Sequence, residues 1–238
     1  AVGTSGRETG VSVASALSAE APVFVTRDRE GLRLWDQTKQ FYQKRGNAPA
    51  WIDDRKPSAQ MDQLIDALRQ ADSEGLDPAL YNASTLAAPR EEAGLGFLTM
   101  KGFNEREAVD LDVWLTYLYL QYASDLSNGL ANLSHADPAW KIRSEKTDVL
   151  ARLEQALEQN RVGQSLAELT PSHEQYTRLR DALQKHRHIA QQGGWPALPP
   201  TLNLKPAQAN AAVPVLAKRL AVSGDFGGTL REGDTAYG

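Results

Sequence analysis

The sequence predicts a mainly α fold: an irregular bundle of about six helices around one central apolar helix, followed by a truncated helical piece at the C-terminus. Three observations carry this reading. Apolar residues recur at helical spacing in several separate segments. Capping residues precede those segments and glycines follow them. One segment, between Asp112 and Asp125, carries no charge and is apolar nearly all round, which requires neighbours on every side.

That central stretch runs from Asn104 to Ser134. Asn104 and Glu107 have the spacing of a capping box, and Asn128-Gly129 supplies a left-handed stop. Leu111, Trp114, Leu115, Leu118, Tyr122 and Leu126 recur along one face, while Val113, Tyr117 and Leu120 fill much of the other. The uncharged run is shorter than the ~18–20 residues a membrane span needs, so no transmembrane segment is expected.

The remaining elements follow in chain order. Residues 1–27 read as a flexible N-terminal tail, small and polar to residue 22 and then β-prone over VFVTR (23–27). A helical domain is expected over 28–192. Asp28 precedes a first helix with Leu34, Thr38, Phe41, Tyr42 and Arg45 on one face, closed by Gly46. The turn at 47–50 delivers Trp51 to the core beside Phe41. Ser58 caps a second helix whose stripe is Met61, Leu64, Ile65, Leu68 and Ala71, with a Schellman ending at Gly75-Leu76. Asp77-Pro78 opens a helical turn carrying Leu80 and Tyr81. A loop at 87–102 holds a weak apolar patch (Leu95, Phe97, Leu98).

After the central helix, Asp137–Trp140 reads as a turn, and Thr147 as the cap of a helix with Leu150, Leu153 and Leu157 inward. Leu166 and Leu169 sit on a short turn. Thr170-Pro171 reads as an N-cap and first helical position, leading to Tyr176, Leu179, Leu183 and Ile189 inward and to a stop at Gly193-Gly194. A proline-rich linker is expected over 193–212, then a short helix with Val213, Leu216 and Leu220 over 213–238, the start of an incomplete module. The predicted structural core comprises Phe41, Trp51, Leu64, Leu68, Leu111, Trp114, Leu115, Leu118, Tyr122, Tyr176 and Leu179.

Composition narrows the function classes. The 238 residues are 41% hydrophobic and 24% charged, ordinary for a globular chain. A formal charge of −4 argues against a non-specific nucleic-acid binder. With zero cysteines there is no thiolate nucleophile, disulfide framework or cysteine metal site. No intact signal peptide is visible, as expected also of a mature exported chain.

Motifs for chemistry are sparse. There is no phosphate loop, no G-x-G-x-x-G, no G-x-S-x-G elbow and no S-x-x-K box. Asp225-Phe226-Gly227 spells a kinase triplet without the rest of that set. His186 and His188 lie two apart, on different sides of a helix, so no metal site and no cofactor is expected. Asp110 and Asp112 suggest either a glycosidase-like carboxylate pair or acidic residues favoured by a helix's first turns; the second reading is preferred. Glu74, in the last turn before Gly75, is a weak candidate acid. Tyr117 and Tyr119, with Trp114 and Tyr122, offer a glycan-stacking wall as the alternative to a core role.

The order of landmarks resembles a known family. FYQKRGNAPAW (41–51) is followed by LIDALRQADSEGLDPALY (64–81), LDVWLTYLYLQYASDLSNG (111–129), LAELTPSHEQYTRLRDALQKHR (166–187) and GGWPALP (193–199). The series is similar to the N-terminal scaffold region of the large periplasmic murein L,D-transpeptidases of Gram-negative bacteria. VPVLAKRLAVSGDF (213–226) is similar to the opening of the peptidoglycan-binding repeat in that family. The resemblance implies a parent enzyme that joins two meso-diaminopimelate residues through an acyl-enzyme on a cysteine, activated by a histidine. Those groups belong to a separate catalytic domain, so no catalytic residue carries over. Its implied partners are that catalytic domain, peptidoglycan and other cell-wall synthesis proteins, and its implied compartment is the periplasm. A non-catalytic scaffold is the leading expectation; a stand-alone peptidoglycan- or partner-binding module is the alternative, and a helical muramidase using Glu74 or Asp112 a distant third.

Overall fold

The computed structural model describes residues 13–18, 20–53, 56–83, 86, 105–130, 147–228 and 235–236. It is mainly helical. The chain forms two compact units, Ala1–His173 and Glu174–Gly238.

In the first unit, helix α1 (Arg29–Lys44) begins where Asp28 accepts a hydrogen bond from the Gly31 N–H at 2.7 Å. It buries Leu34, Trp35, Thr38, Phe41 and Tyr42. A two-residue hairpin, β1 (Ile52–Asp53) with β2 (Lys56–Pro57), pairs Ile52 with Pro57. Helix α2 (Ala59–Arg69) starts at Ser58, whose hydroxyl oxygen accepts from Met61 N–H at 3.2 Å, and it buries Met61, Leu64 and Leu68. It ends earlier than the sequence suggests. A 3-10 turn (Ala71–Glu74) follows, and this turn carries the Schellman ending: Leu76 N–H donates to Ala71 O, Gly75 N–H to Asp72 O, and Gly75 takes φ 80°. A second 3-10 turn (Pro78–Tyr81) is capped by Asp77 and buries Tyr81.

Helix α3 (Glu105–Asn128) is the centre of the unit. It packs against α1, α2 and α4 (Val149–Glu158), while α4 and α2 also meet α5 (Val162–Ala167). Enclosure on several sides explains why its buried residues are not a single stripe. Leu115, Leu118 and Tyr122 are buried, and so are Val113, Tyr117, Tyr119 and Leu120. Leu111 and Trp114 are half-buried at the edge of the core. Asn104, the expected cap, and the stretches around Leu95–Leu98 and Asp137–Trp140 lie outside the described residues.

Several expectations are corrected. Residues 13–18 are helical and place Val13 and Leu17 in the core, where a flexible tail was expected. Residues 23–27 make turns, not an extended run: Val25 N–H donates to Pro22 O, burying Val25 and exposing Val23. The cap of α4 is Asp148, accepting from Ala151 N–H at 3.0 Å, rather than Thr147. Thr170-Pro171 does not start a helix. The Thr170 hydroxyl instead donates to Ala167 O at 2.8 Å and closes α5.

The second unit contains α6 (Glu174–Gln191) and α7 (Val213–Ser223). Leu179 is 70% exposed, against its expected core role, and Tyr176 is only half-buried. The physical reason is that the apolar stripe of α6 is covered at Ile189 and left to solvent at Leu179. In its C-terminal half Ile189 is buried, His186 packs on Trp195 with ring centroids 5.4 Å apart, and Lys185 donates to Ser223 O at 2.8 Å. Trp195 is anchored in turn by its indole N–H on the Ser223 hydroxyl, at 2.9 Å. The 193–212 segment is therefore tied to α7, and Ala209 bridges Ala236.

Candidate functional site

The first place where polar chemistry concentrates is Asp112, two turns into α3 and only 1% exposed. Its neighbour in the suspected pair, Asp110, is exposed and faces Arg106 at 3.8 Å. Two residues apart on a helix point to different sides, so these carboxylates do not form an acid/base pair. Asp112 instead meets four donors. Oδ1 accepts from the Tyr42 hydroxyl at 2.6 Å and Ala50 N–H at 2.9 Å; Oδ2 accepts from Trp51 N–H at 2.8 Å and Ile52 N–H at 3.0 Å. Thr116 extends the network. Its hydroxyl oxygen accepts the Trp51 indole N–H at 2.8 Å and lies 2.7 Å from the Tyr42 hydroxyl.

The electrostatics follow from the geometry. Burial pushes the Asp112 carboxyl up from its ordinary value, and the four donors oppose that shift. With donors on both oxygens, the site is built for the ionised form. Burial, then the adjacent Asp112 charge, raises the Tyr42 phenol well above its usual value, so it stays protonated and donates. The chemistry is that of a clamp: one carboxylate fixes the 50–52 corner to the central helix and to α1. Sequence reasoning named Asp112 but not this role. The signal was present, since Tyr42 and Trp51 flank the turn 47–50, but nothing local says which acidic residue answers the turn's N–H groups.

The proposed glycan wall is absent from the surface. Tyr117 is 1% exposed and Tyr119 0%. Tyr117 packs on Phe24, with centroids 5.6 Å apart, and its hydroxyl accepts from Thr26 N–H at 3.3 Å. Tyr119 stacks near Trp51 and its hydroxyl lies 3.1 Å from that of Ser165. Because α3 is covered on the faces that carry these residues, neither ring is available to stack on a ligand.

A second place of interest is a cleft of about 320 Å³ in the first unit, between α2, the Ala71–Glu74 turn, the end of α3 and α5. Its floor is Tyr122, Leu126 and Leu166. Its rim carries Gln63, Asp66, Gln70, Ser73 and Glu74, with Thr170 at the far end. Gly163 forms part of the wall, and its N–H donates to the Gln63 side-chain oxygen at 3.1 Å, which holds that amide in place. Glu74, a weak candidate from sequence, thus lies on a concave surface that Asp66 also lines.

Among the described residues, no group of three or more His, Cys, Asp or Glu side chains is placed to hold a metal ion. His188 meets Gln192 at 2.9 Å and His186 meets Trp195; His135 lies outside the described residues. No helix among the described residues is long and apolar enough to cross a membrane.

Comparison with known proteins adds one finding. No curated protein and no solved structure matches the chain. A family model described as Scaffold domain matches residues 36–183, which includes α1 from its second turn through most of α6 and hence both the Asp112 clamp and the cleft. This match spans well over half of the sequence, and on that ground the chain belongs to the Scaffold domain family.

Proposed function

We propose that this chain is the non-catalytic scaffold part of a murein L,D-transpeptidase, working in the periplasm on peptidoglycan. Its role in that reading is to hold a cysteine-bearing catalytic domain and a glycan-binding module in register. The observation that carries the proposal is the Scaffold domain match over residues 36–183, coinciding with the landmark series that resembles those enzymes. Two further features support it. The sequence has no cysteine to serve as the acyl-accepting nucleophile. The most polar buried centre of the fold, at Asp112, is occupied in clamping backbone.

The gene around this chain tests the parent. A reading frame that continues into a histidine and a Ser/Thr-His-Gly-Cys-type motif supports the proposal, and a frame without a cysteine domain overturns it. The inert role is tested separately. The purified chain, incubated with tetrapeptide stems, should form no diaminopimelate-to-diaminopimelate cross-links; any turnover sinks the scaffold reading.

A further inference from the structure

We propose that the contact between the start of α1, the Pro78–Tyr81 turn and the end of α3 is a pH-sensitive latch, closed while Asp125 carries a proton and loosened when that proton leaves. The inference concerns this corner alone and is independent of the scaffold role, so either can fail without the other.

Three elements build the corner. Asp125, half-buried in the last turn of α3, accepts from the hydroxyl of the fully buried Tyr81 at 2.8 Å. The Tyr81 ring packs edge-on against Tyr122, with centroids 5.0 Å apart, which holds the phenol in place. From α1, Glu30 accepts from the buried Ser124 hydroxyl at 3.2 Å. Asn128 completes the cluster by donating its side-chain N–H to the Ser124 oxygen at 3.3 Å.

Two features of this geometry favour a proton on Asp125. A carboxylate in the last turn of a helix meets the negative end of the helix dipole, and α3 has no basic residue there to offset it. The cluster is also short of protons, since the side-chain oxygen of Asn128 is buried with no hydrogen-bond partner. The titratable groups facing Asp125 are a phenol, Tyr81, and a second carboxylate, Glu30. Arg33 answers Glu30 within α1, its Nε donating at 3.0 Å, while Asp77 adds negative charge near Tyr81. Burial, with repulsion from Glu30 and against the Tyr81 hydrogen bond, raises the Asp125 carboxyl to about 6. A local opening that lets water reach this carboxyl returns it to about 3.9. Opening therefore becomes easier as pH rises from about 4 to about 6, and then levels off.

Amide hydrogen exchange on the whole chain, corrected for intrinsic rates, tests the latch together with a carboxyl NMR titration of Asp125. The carboxyl is expected to titrate near 6. Gly129 N–H donates to Asp125 O and Asn82 N–H to Ala79 O, and protection at both should fall about five- to tenfold from pH 5 to pH 7. Protection in the middle of α4 should stay constant over that range. Asp125→Asn should abolish the fall. Glu30→Gln, at an exposed position, should lower the Asp125 midpoint and shrink the fall. A midpoint near 4, protection at Gly129 and Asn82 that does not change with pH, or the same fall in Asp125→Asn each overturns the proposal.

Discussion

Asp112 is expected to dominate the stability of the first unit among its polar residues. The carboxylate satisfies three backbone N–H groups and one phenol in a site from which water is excluded. Removing an acceptor leaves each buried donor to bear a desolvation cost of about 1–3 kcal/mol. Asp112→Ala strands the three backbone N–H groups, while the Tyr42 hydroxyl keeps the residue-112 carbonyl oxygen as an acceptor at 2.7 Å; partial relaxation of the 50–52 corner toward solvent limits the total to about 3–5 kcal/mol. Asp112→Asn keeps the shape and one oxygen but points an NH2 group at N–H donors, so about 2–3 kcal/mol is expected. Tyr42→Phe removes a single hydrogen bond to a charged group, about 1.5–3 kcal/mol. The expected order is Asp112→Ala worst, then Asp112→Asn, then Tyr42→Phe. Urea denaturation followed by far-UV circular dichroism measures it, and hydrogen exchange at Ala50, Trp51 and Ile52 should rise in both Asp112 variants. The double variant Asp112→Asn with Tyr42→Phe should cost less than the sum of the singles, because the two share one bond. An Asp112→Asn chain within about 0.5 kcal/mol of wild type would refute the reasoning, since a surface residue costs that much.

Three more outcomes are expected. Asp125 accepts from the buried Tyr81 hydroxyl at 2.8 Å, and burial, with repulsion from Glu30, raises its carboxyl to about 6. A carboxyl raised in the fold stabilises it most below the unfolded value of about 3.9, and that contribution is lost as pH rises through about 6. Its partial exposure limits the effect to about 1–2 kcal/mol. The urea midpoint of Asp125→Asn should therefore match wild type near pH 4 and gain on it by pH 7, and a variant that loses ground over that range contradicts the assignment. Gly31→Ala should destabilise by about 1–3 kcal/mol, because a Cβ there would stand 2.0 Å from Thr26 Oγ1 and 2.3 Å from Thr26 O; a thermal melt unchanged from wild type argues against that close approach. Leu118→Ala, at a position 1% exposed in the middle of α3, should cost about 2–5 kcal/mol in denaturant titration, with the lower end marking a site that collapses.

The local signals in the chain were largely legible. Asp28, Ser58 and Asp77 cap as their spacing suggests, because a cap needs only its own next two or three residues. The Schellman turn at Gly75-Leu76 and the charge-free centre of α3 are local in the same sense. Where two local signals compete, sequence chose less well. Thr147 and Asp148 can both cap, and Asp148 does. Thr170 can open a helix or close one, and α5 takes its hydroxyl. Leu179 fails for another reason: periodicity shows that a helix has an apolar stripe, but not which part of it finds a partner.

The amino-acid sequence by itself determined the mainly α class, the central helix and most helix ends, since each depends on contacts within one or two turns of the chain. Only the tertiary structure decided what the polar residues do. Tyr42, the 50–52 corner and Asp112 are far apart in sequence, and the burial that makes an aspartate a clamp exists only once α1, the corner and α3 have packed. The cleft is likewise a property of four elements meeting. Hydrogen-bond partners and solvent exclusion are set by distances in space, which spacing along the chain does not specify.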